Sequence, residues 1–331
     1  MRMNCAACQR GCPLREALAQ GQTPERVPSG AREGRQAISG ILNVDKPAGM
    51  TSHDVVAAVR RASGMRRVGH AGTLDPMATG VLVVCLGQAT RVIEYLMDSP
   101  KTYRAEIVLG VATDTYDAEG RVTYQAPKVE VTRELLEAAL SRFLGPIEQV
   151  PPMYSALKHE GKPLYELARQ GIEVERKPRR VEIYRLEVIS WDSPRLEIEV
   201  ECSRGTYVRS LAHDLGEALG CGAHLRSLVR LRSGRFTLEM AEPLSVVEEA
   251  FRLGYWPEII HPLDEALLDY EAMVVDRETA QRIRQGQQVR GGPPDSARLR
   301  RAYSLDGEFI GLLEYEDRTG LWQPRKVFAI N

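Results

Sequence analysis

The sequence predicts a mixed α and β protein, one large domain with a smaller module attached, and three observations carry that expectation. The chain has 331 residues, 43% of them hydrophobic, enough for a sizeable core and a second small one. Stretches with strand alternation, such as Lys101 to Leu109 and Arg195 to Cys202, are interspersed with helical spacing, as in Val131 to Phe143. Beyond a Pro-containing linker from Trp256 to Leu263, strand-like segments dominate. No apolar run approaches the roughly 18 residues that suggest a membrane span. The start, Met1 to Gln20, lacks the apolar core of a signal peptide, so a soluble, cytoplasmic protein is expected.

In order along the chain, residues 1 to 39 are rich in Gly, Pro, Arg, Gln and Ser and read as a flexible extension outside the fold. Gly40 to Val44 is a short strand, and the turn Asp45 to Ser52 offers Thr51 or Ser52 as cap for a helix from His53 to Ala62. Val55, Val56 and Val59 give that helix one apolar face. The glycine-rich stretch Val68 to Gly80 then opens onto the apolar strand Val81 to Leu86, and Thr90 to Met97 is helical. After the strand Lys101 to Leu109 comes a polar loop, Thr113 to Gly120. Next are the helix Val131 to Phe143, stopped by Leu144-Gly145-Pro146, an extended Pro151 to Ala156, and a short helix Leu164 to Arg169. Val181 to Ile189 and Arg195 to Cys202 form a hairpin about Asp192-Ser193-Pro194, and the second strand runs into a helix from Ser210 to Leu219. In the C-terminal part, Gln281 to Val289, Gly307 to Glu314 and Pro324 to Phe328 read as a small β-rich module.

The net charge of -1 is unevenly spread. Residues 1 to 39 hold six arginines against three glutamates. Further on, basic residues cluster at Arg60, Arg61, Arg66 and Arg67, at Arg176, Lys177, Arg179 and Arg180, and at Arg226, Arg230, Arg232 and Arg235. Each run could be a solvated face, but three of them near candidate site motifs fit a polyanion, because phosphate contacts need local positive potential. The six cysteines show no disulfide framework; Cys85, Cys202 and Cys221 read as reduced, buried thiols. Cys5, Cys8 and Cys12 form C-x2-C-x3-C, which could ligate zinc or an iron-sulfur cluster, but no fourth ligand stands nearby.

The chemistry centres on Asp75, a carboxylate on a tight loop between three glycines and a proline at a sheet edge. Lys46, on its own turn beside a glycine, could reach a phosphate or be an ordinary surface lysine. Tyr207 and Arg209 stand two apart across a strand-to-helix turn, so both could point into one cleft, or they could be a core tyrosine and a surface arginine. An arginine beside Asp75 would lower its pKa and keep it ionised, while Tyr103 and Tyr207 offer flat faces to a base or sugar ring. Hydrolysis of a glycosidic bond usually needs two partnered carboxylates. No second acid accompanies Asp75 in its loop, which suits bond exchange better.

Six segments in order, Asn43 to Ser52, Gly69 to Gly80, Lys101 to Arg104, Thr113 to Gly120, Arg204 to Arg209 and Cys221 to Leu225, resemble the TruB family of tRNA pseudouridine-55 synthases. The resemblance spans residues 40 to about 260. It implies an α+β fold with a mixed, largely antiparallel, bent sheet flanked by helices. It further implies isomerisation of the T-loop uridine of tRNA to pseudouridine, without a cofactor or metal. On this basis Asp75 is the essential aspartate acting at the ribose, Tyr103 stacks on the target base and is a candidate base late in the reaction, and Arg209 pairs with Asp75. Tyr207 and Leu228 line the pocket, His70 fills the space left by the flipped nucleotide, and Asp117 falls where an acidic residue contacts flipped-out bases. Base flipping costs a few kcal/mol, which stacking on residues such as Tyr103 and His70 could offset.

The implied organisation is an extension (1–39), a catalytic domain (40–260), and a linker with a PUA-like RNA-binding module (261–331), in which Arg290, Arg298, Arg300 and Arg301 favour RNA contact. A monomer that binds the tRNA T-arm is expected. The alternative is a non-catalytic tRNA-binding or tRNA-folding protein; a metal-binding regulator built on Cys5, Cys8 and Cys12 is a third reading.

Overall fold

The computed structural model describes residues 38–155, 157–295 and 297–328. Cys5, Cys8 and Cys12, with the metal reading that rests on them, lie outside the described residues.

The first strand, β1 (Gly40–Lys46), is almost wholly buried and turns into α1 (Ser52–Ser63). Of the two cap candidates Thr51 takes the position: its hydroxyl accepts from the Asp54 amide while the Asp54 carboxylate accepts from the Thr51 amide, so two orphan donors are satisfied reciprocally. Ser52 is left free for another task, described below. Short β2 (Val68–His70) and apolar β3 (Thr79–Leu86) flank the glycine loop. A 3-10 turn and α2 (Ile93–Asp98) lead to β4 (Lys101–Leu109), which keeps the bounds its alternation predicts. The hairpin β5 (Val111–Thr113) and β6 (Val122–Gln125), α3 (Arg133–Ser141) and β7 (Gly145–Gln149) follow. Then come the two-residue strands β8 (Lys158–His159) and β9 (Lys162–Pro163), α4 (Leu164–Arg169), the long β10 (Arg179–Asp192), β11 (Arg195–Cys202) and α5 (Val208–Ala218). β12 (Ala223–Ser233), β13 (Phe236–Thr237), β14 (Glu242–Pro243) and α6 (Leu244–Leu253) complete the large domain.

These strands form one sheet in the order β14-β1-β3-β12-β4-β11-β10-β7, with β2 on β3 and β13 on β12. Only β1 with β14 and β3 with β12 run parallel. The mixed, largely antiparallel sheet therefore matches the expected class. α3 and α5 cover one face through Leu136, Leu140, Leu211 and Leu215, packed on Ile107, Leu109, Ile198 and Val200. α1 and α6 cover the β1 and β3 end through Val55, Val59, Val247 and Ala250. The opposite face of β4, β11 and β10 is open and carries charge. Arg104 lies across from Glu197 and Glu199, Arg185 meets Glu187, Glu199 and Glu201, Arg226 meets Glu106, and Arg232 meets Glu201. Alternation of buried Leu196, Ile198 and Val200 with Glu197, Glu199 and Glu201 generates this arrangement directly.

Beyond a joint of 3-10 turns, the second sheet comprises β15 (Glu271–Val275), β16 (Leu299–Ser304), β17 (Phe309–Glu316) and β18 (Leu321–Val327), in that order. Gln281 to Val289, expected as part of the β pattern, instead starts inside a helix, α7 (Arg277–Arg284). Asp276 caps it through the Thr279 amide, and Ala280 and Ile283 pack into the small core with Trp322 and Leu313. The two parts share a core: Leu267, Leu312 and Phe328 pack with Ile41, Val81, Val83 and Phe236. Arg91 adds a hydrogen bond to the Val327 carbonyl at 2.6 Å and lies over the Phe328 ring.

Candidate active site

The loop bearing Asp75 runs between β2 and β3 and is tied down on three sides. Lys46 is fully buried and its ammonium donates to the carbonyls of Pro47, Met50 and Pro76 at 3.0, 2.5 and 3.1 Å. It thus binds the β1 turn to the residue after Asp75 and faces backbone rather than a phosphate. The Gly49 amide reaches the same Pro76 carbonyl at 2.8 Å, and Ser52 exchanges hydrogen bonds with the amide and carbonyl of Leu74. From the other side Arg230, 1% exposed, donates to Val81, Gly72 and Thr73 carbonyls. Each buried cation meets carbonyl oxygens in place of water, the condition under which a charge can be buried.

Arg209, in the first turn of α5, is the hub. Its Nη2 donates to Asp75 Oδ1 at 2.9 Å and to the Tyr154 carbonyl at 2.8 Å. Its Nε lies 2.9 Å from Asp75 Oδ2, an ion-pair contact not aligned as a hydrogen bond. Its Nη1 reaches Asp117 Oδ2 at 3.2 Å. The side chain of Asp75 keeps 32% of its surface open, against 5% for Arg209 and 6% for Asp117. The carboxylate that faces outward is therefore Asp75. Arg209 pulls the Asp75 carboxyl down as expected, but burial outweighs it and Asp117 adds to the burial, so the net displacement is upward from the ordinary value. Two features thus differ from the sequence reading: Asp75 is held high rather than low, and a second carboxylate stands on the far side of the same arginine. The sequence reading named Asp117 but set it against flipped-out bases rather than beside Arg209, because it lies 42 residues from Asp75, on a loop that only the fold brings in.

A cleft of about 300 Å³ opens over Asp75. Tyr103, Tyr207, Leu228, Met97 and Leu157 contribute its walls, apolar and aromatic surface with one reactive group at the bottom. Burial pushes both phenols above the usual tyrosine range and keeps them neutral, with Arg230 pulling back on Tyr103. Tyr207 is fixed by Gln149, 2% exposed, which accepts from its amide at 2.7 Å and donates to its carbonyl at 3.0 Å. Of the residues singled out in the sequence, the structure brings Asp75, Tyr103, Tyr207, Arg209 and Leu228 to this cleft. Lys46, His70 and Asp117 stand behind or beside it. His70 ends β2, partly exposed, with its Nδ1 unpartnered and burial lowering its pKa. Asp117 is 4% exposed, and its carboxylate also accepts from Thr115 Oγ1 at 2.6 Å and the Glu119 amide at 3.1 Å. In this arrangement it is committed to Arg209 rather than presented to a base.

Arg230, Gln149 and Lys101 are support residues that the sequence gave no reason to separate from their neighbours. Lys101, 5% exposed, caps the end of α2 through the Leu96, Met97 and Ser99 carbonyls, and burial holds it down to about 8, as it does Lys46. The arginine clusters are also partly consumed. Arg226, Arg232 and Arg235 pair with Glu106, Glu201 and Asp269. Among the described residues Arg61, Arg66, Lys177, Arg179 and Arg180 are solvent-exposed with no carboxylate partner. Arg179 lies close enough to Tyr207 to bias its phenol. In the small module Arg298 pairs with Asp317, Arg300 with Glu271 over the Trp322 ring, and Arg301 with the Tyr303 hydroxyl. Arg290 lines an open groove of about 720 Å³ there, larger than the Asp75 cleft but mixed in charge and remote from it. Cys85, Cys202 and Cys221 are free and buried; burial pushes the first two thiols up to about 12 and about 11. Among the described residues no helix is long and apolar enough to cross a membrane.

Three family models match consecutive stretches of the chain. They are described as TruB family pseudouridylate synthase, N-terminal domain (60–208), tRNA pseudouridylate synthase B C-terminal domain (209–275), and pseudouridine synthase II TruB, C-terminal (272–327). The tRNA pseudouridine synthase B of Dehalococcoides mccartyi strain BAV1 is 47% identical over 291 residues, 88% of this chain and 97% of the relative. That of Symbiobacterium thermophilum is 58% identical over 215 residues, 64% of this chain and 72% of the relative. Among solved structures, an H/ACA RNP bound to a substrate RNA containing 2'-deoxyuridine superposes with a TM-score of 0.68 at 25% identity, covering 88% of this chain and 85% of the other. A Cbf5-Nop10-Gar1 complex gives 0.66 at 27% identity over the same shares.

Proposed function

The chain belongs to the TruB family of pseudouridine synthases, and from that premise we propose that it isomerises uridine to pseudouridine in tRNA, at the T-loop uridine of position 55. In this reaction the bond from ribose C1' to N1 breaks and one from C1' to C5 forms. The proton leaving C5 is matched by one gained at N1, so composition is unchanged and no redox partner is required. The observation that carries the reading is the Asp75 carboxylate, gripped along one side by Arg209 and open on the other to a cleft of about 300 Å³.

Asp75 acts at the ribose as nucleophile or base. Its upward-shifted carboxyl is the stronger base once ionised. Arg209 orients it and balances the charge that develops. Tyr103, a neutral phenol, stacks on the uracil; Tyr207 and Leu228 wall the pocket so that the detached base turns without escaping. His70 fills the gap left in the loop. Asp117 and Lys46 serve from behind, the first through Arg209 and the second through Pro76. Arg61, Arg66, Lys177, Arg179 and Arg180 take the T-arm phosphates, which positions the RNA without reading sequence. We propose a monomeric, cytoplasmic enzyme, divided into the catalytic domain (40–260) and an RNA-binding module (261–331). The start of the second sheet at Glu271, with residues 261–270 as the joint, supports that division.

The test uses an unmodified T-arm hairpin. The full chain converts its uridine, whereas Asp75→Asn loses conversion by at least about a thousandfold and still binds the hairpin within a few-fold of the parent. Full turnover by Asp75→Asn would overturn the assignment. Binding without conversion by the unaltered protein would favour the RNA-folding reading instead.

A further inference from the structure

The loop from Thr113 to Gly120 holds a residue that the chemistry above does not use. Tyr116 adopts φ +64, a left-handed conformation that glycine or asparagine takes at little cost and tyrosine takes only where its surroundings impose it. Its ring lies flat on the imidazole of His213, with centroids 3.9 Å apart and planes 10° from parallel. Neither ring lines the cleft. His213 sits four residues after Arg209 in α5, one turn along the same face. Two neighbours on the helix therefore meet two neighbours on the loop: Arg209 binds Asp117, and His213 binds Tyr116.

The rest of the loop closes around this double contact. The Tyr116 carbonyl accepts from the Leu225 amide and the Ala118 amide donates to the Leu225 carbonyl, both at 2.9 Å, so the segment is stitched to β12. Thr113 Oγ1 donates to the Asp117 carbonyl at 2.7 Å and Arg209 Nη1 approaches the Thr115 carbonyl at 3.4 Å. The guanidinium has one carboxylate on each side. Its angle toward Asp75 is set by where the loop holds Asp117.

We propose that Tyr116 and His213 are positioning residues for the reaction, their stack locking the loop from Thr113 to Gly120 onto α5 so that Asp117 aims Arg209 at Asp75. The inference rests on the isomerase reading of the site. It assigns to the pair an effect on the chemical step and none on RNA contact.

The experiment compares kcat and KM on the T-arm hairpin for the parent, Tyr116→Gly, Tyr116→Phe, His213→Ala, His213→Phe, Asp117→Asn and the double variant Tyr116→Gly with Asp117→Asn. Glycine accepts the left-handed backbone and removes the side chain, ring included. Tyr116→Gly and His213→Ala are expected to lower kcat about tenfold with KM within about twofold. The ring-preserving Tyr116→Phe and His213→Phe restore it. Because the pair acts through Asp117, Tyr116→Gly should add nothing in the Asp117→Asn background. A full multiplicative effect there, or a rise in KM at unchanged kcat, overturns the proposal.

A readout independent of turnover separates this from the isomerase reading. The titration of selectively 13C-labelled Asp75 should move upward in Tyr116→Gly, as Arg209 loosens, and not in Tyr116→Phe. Inactive parent protein with that titration shift would sink the isomerase reading and sustain the positioning pair; an unmoved titration would sink the pair.

Discussion

Asp75 illustrates how one side chain can be both usable and costly. Its pKa lies above the ordinary 3.8 because burial and Asp117 together outweigh Arg209. A raised carboxyl binds its proton more tightly in the folded chain than in the unfolded one. Ionising it therefore costs folding stability as pH rises from the unfolded value through the folded one. In the reaction proposed above Asp75 acts in its ionised form, so kcat should climb with pH along an acid limb that lies above the ordinary aspartate range. Asp117→Asn removes the charge repulsion on Asp75 while its amide oxygen can still accept from Arg209, so the anchor is weakened but not lost. Its acid limb, measured as kcat against pH on the T-arm hairpin, should move to lower pH while the plateau falls about tenfold or more. A limb that stays in place or moves up would show that Asp117 does not set the Asp75 charge.

At the scale of elements, the active loop is positioned by the one parallel junction at the sheet centre, where Thr79 and Gly80 of β3 meet Val229 and Arg230 of β12. Gly80 has φ +94, and a Cβ there would come within 2.3 Å of the Arg230 carbonyl oxygen. Gly80→Ala should therefore cost about 2–4 kcal/mol in urea unfolding, through strain and forced separation of the two strands. An unfolding midpoint within error of the parent would refute this. The same junction marks what the sequence concealed. β4 and β11 were legible because alternation in Lys101 to Leu109 and Arg195 to Cys202 is uninterrupted. β12 was not, because Leu225-Arg226-Ser227-Leu228-Val229-Arg230-Leu231-Arg232 presents four apolar residues among three arginines and a serine, with two register shifts against β4. Charge drew attention to phosphate where the fold uses Arg230 as an internal brace. Asp75, Arg209 and Tyr207 were legible from their turns and motifs. Gln149, whose partner lies 58 residues away, carried no local signal, and Asp117, legible in its own segment, gave no sign of its pairing with Arg209, 92 residues on.

On the scale of the whole molecule, the two parts share one core and should unfold together. Phe328 is 5% exposed, lies against Phe309 at a centroid distance of 5.4 Å, and is covered by Arg91. Phe328→Ala should cost about 3–5 kcal/mol and lower a single thermal transition without splitting it. Two separate transitions in the parent, seen by calorimetry, would refute the shared core. The joint strengthens the expectation, since Ile41 and His261 exchange backbone hydrogen bonds at 2.9 and 2.8 Å and so tie the first strand to the linker.

The paired charges on the open face of the central sheet bear on how RNA arrives. Arg104, Arg185, Arg226 and Arg232 are each matched by glutamates from other strands of the sheet, and exposed pairs of this kind add little to stability. To an incoming polyanion, that face offers attraction and repulsion in nearly equal measure. On the cleft side Arg179, exposed and without a carboxylate partner, stands near Tyr207. On the function proposed above, tRNA meeting that face should leave again quickly and tRNA meeting the cleft side should stay longer, so the back of the sheet would favour landing at the cleft before any base is read.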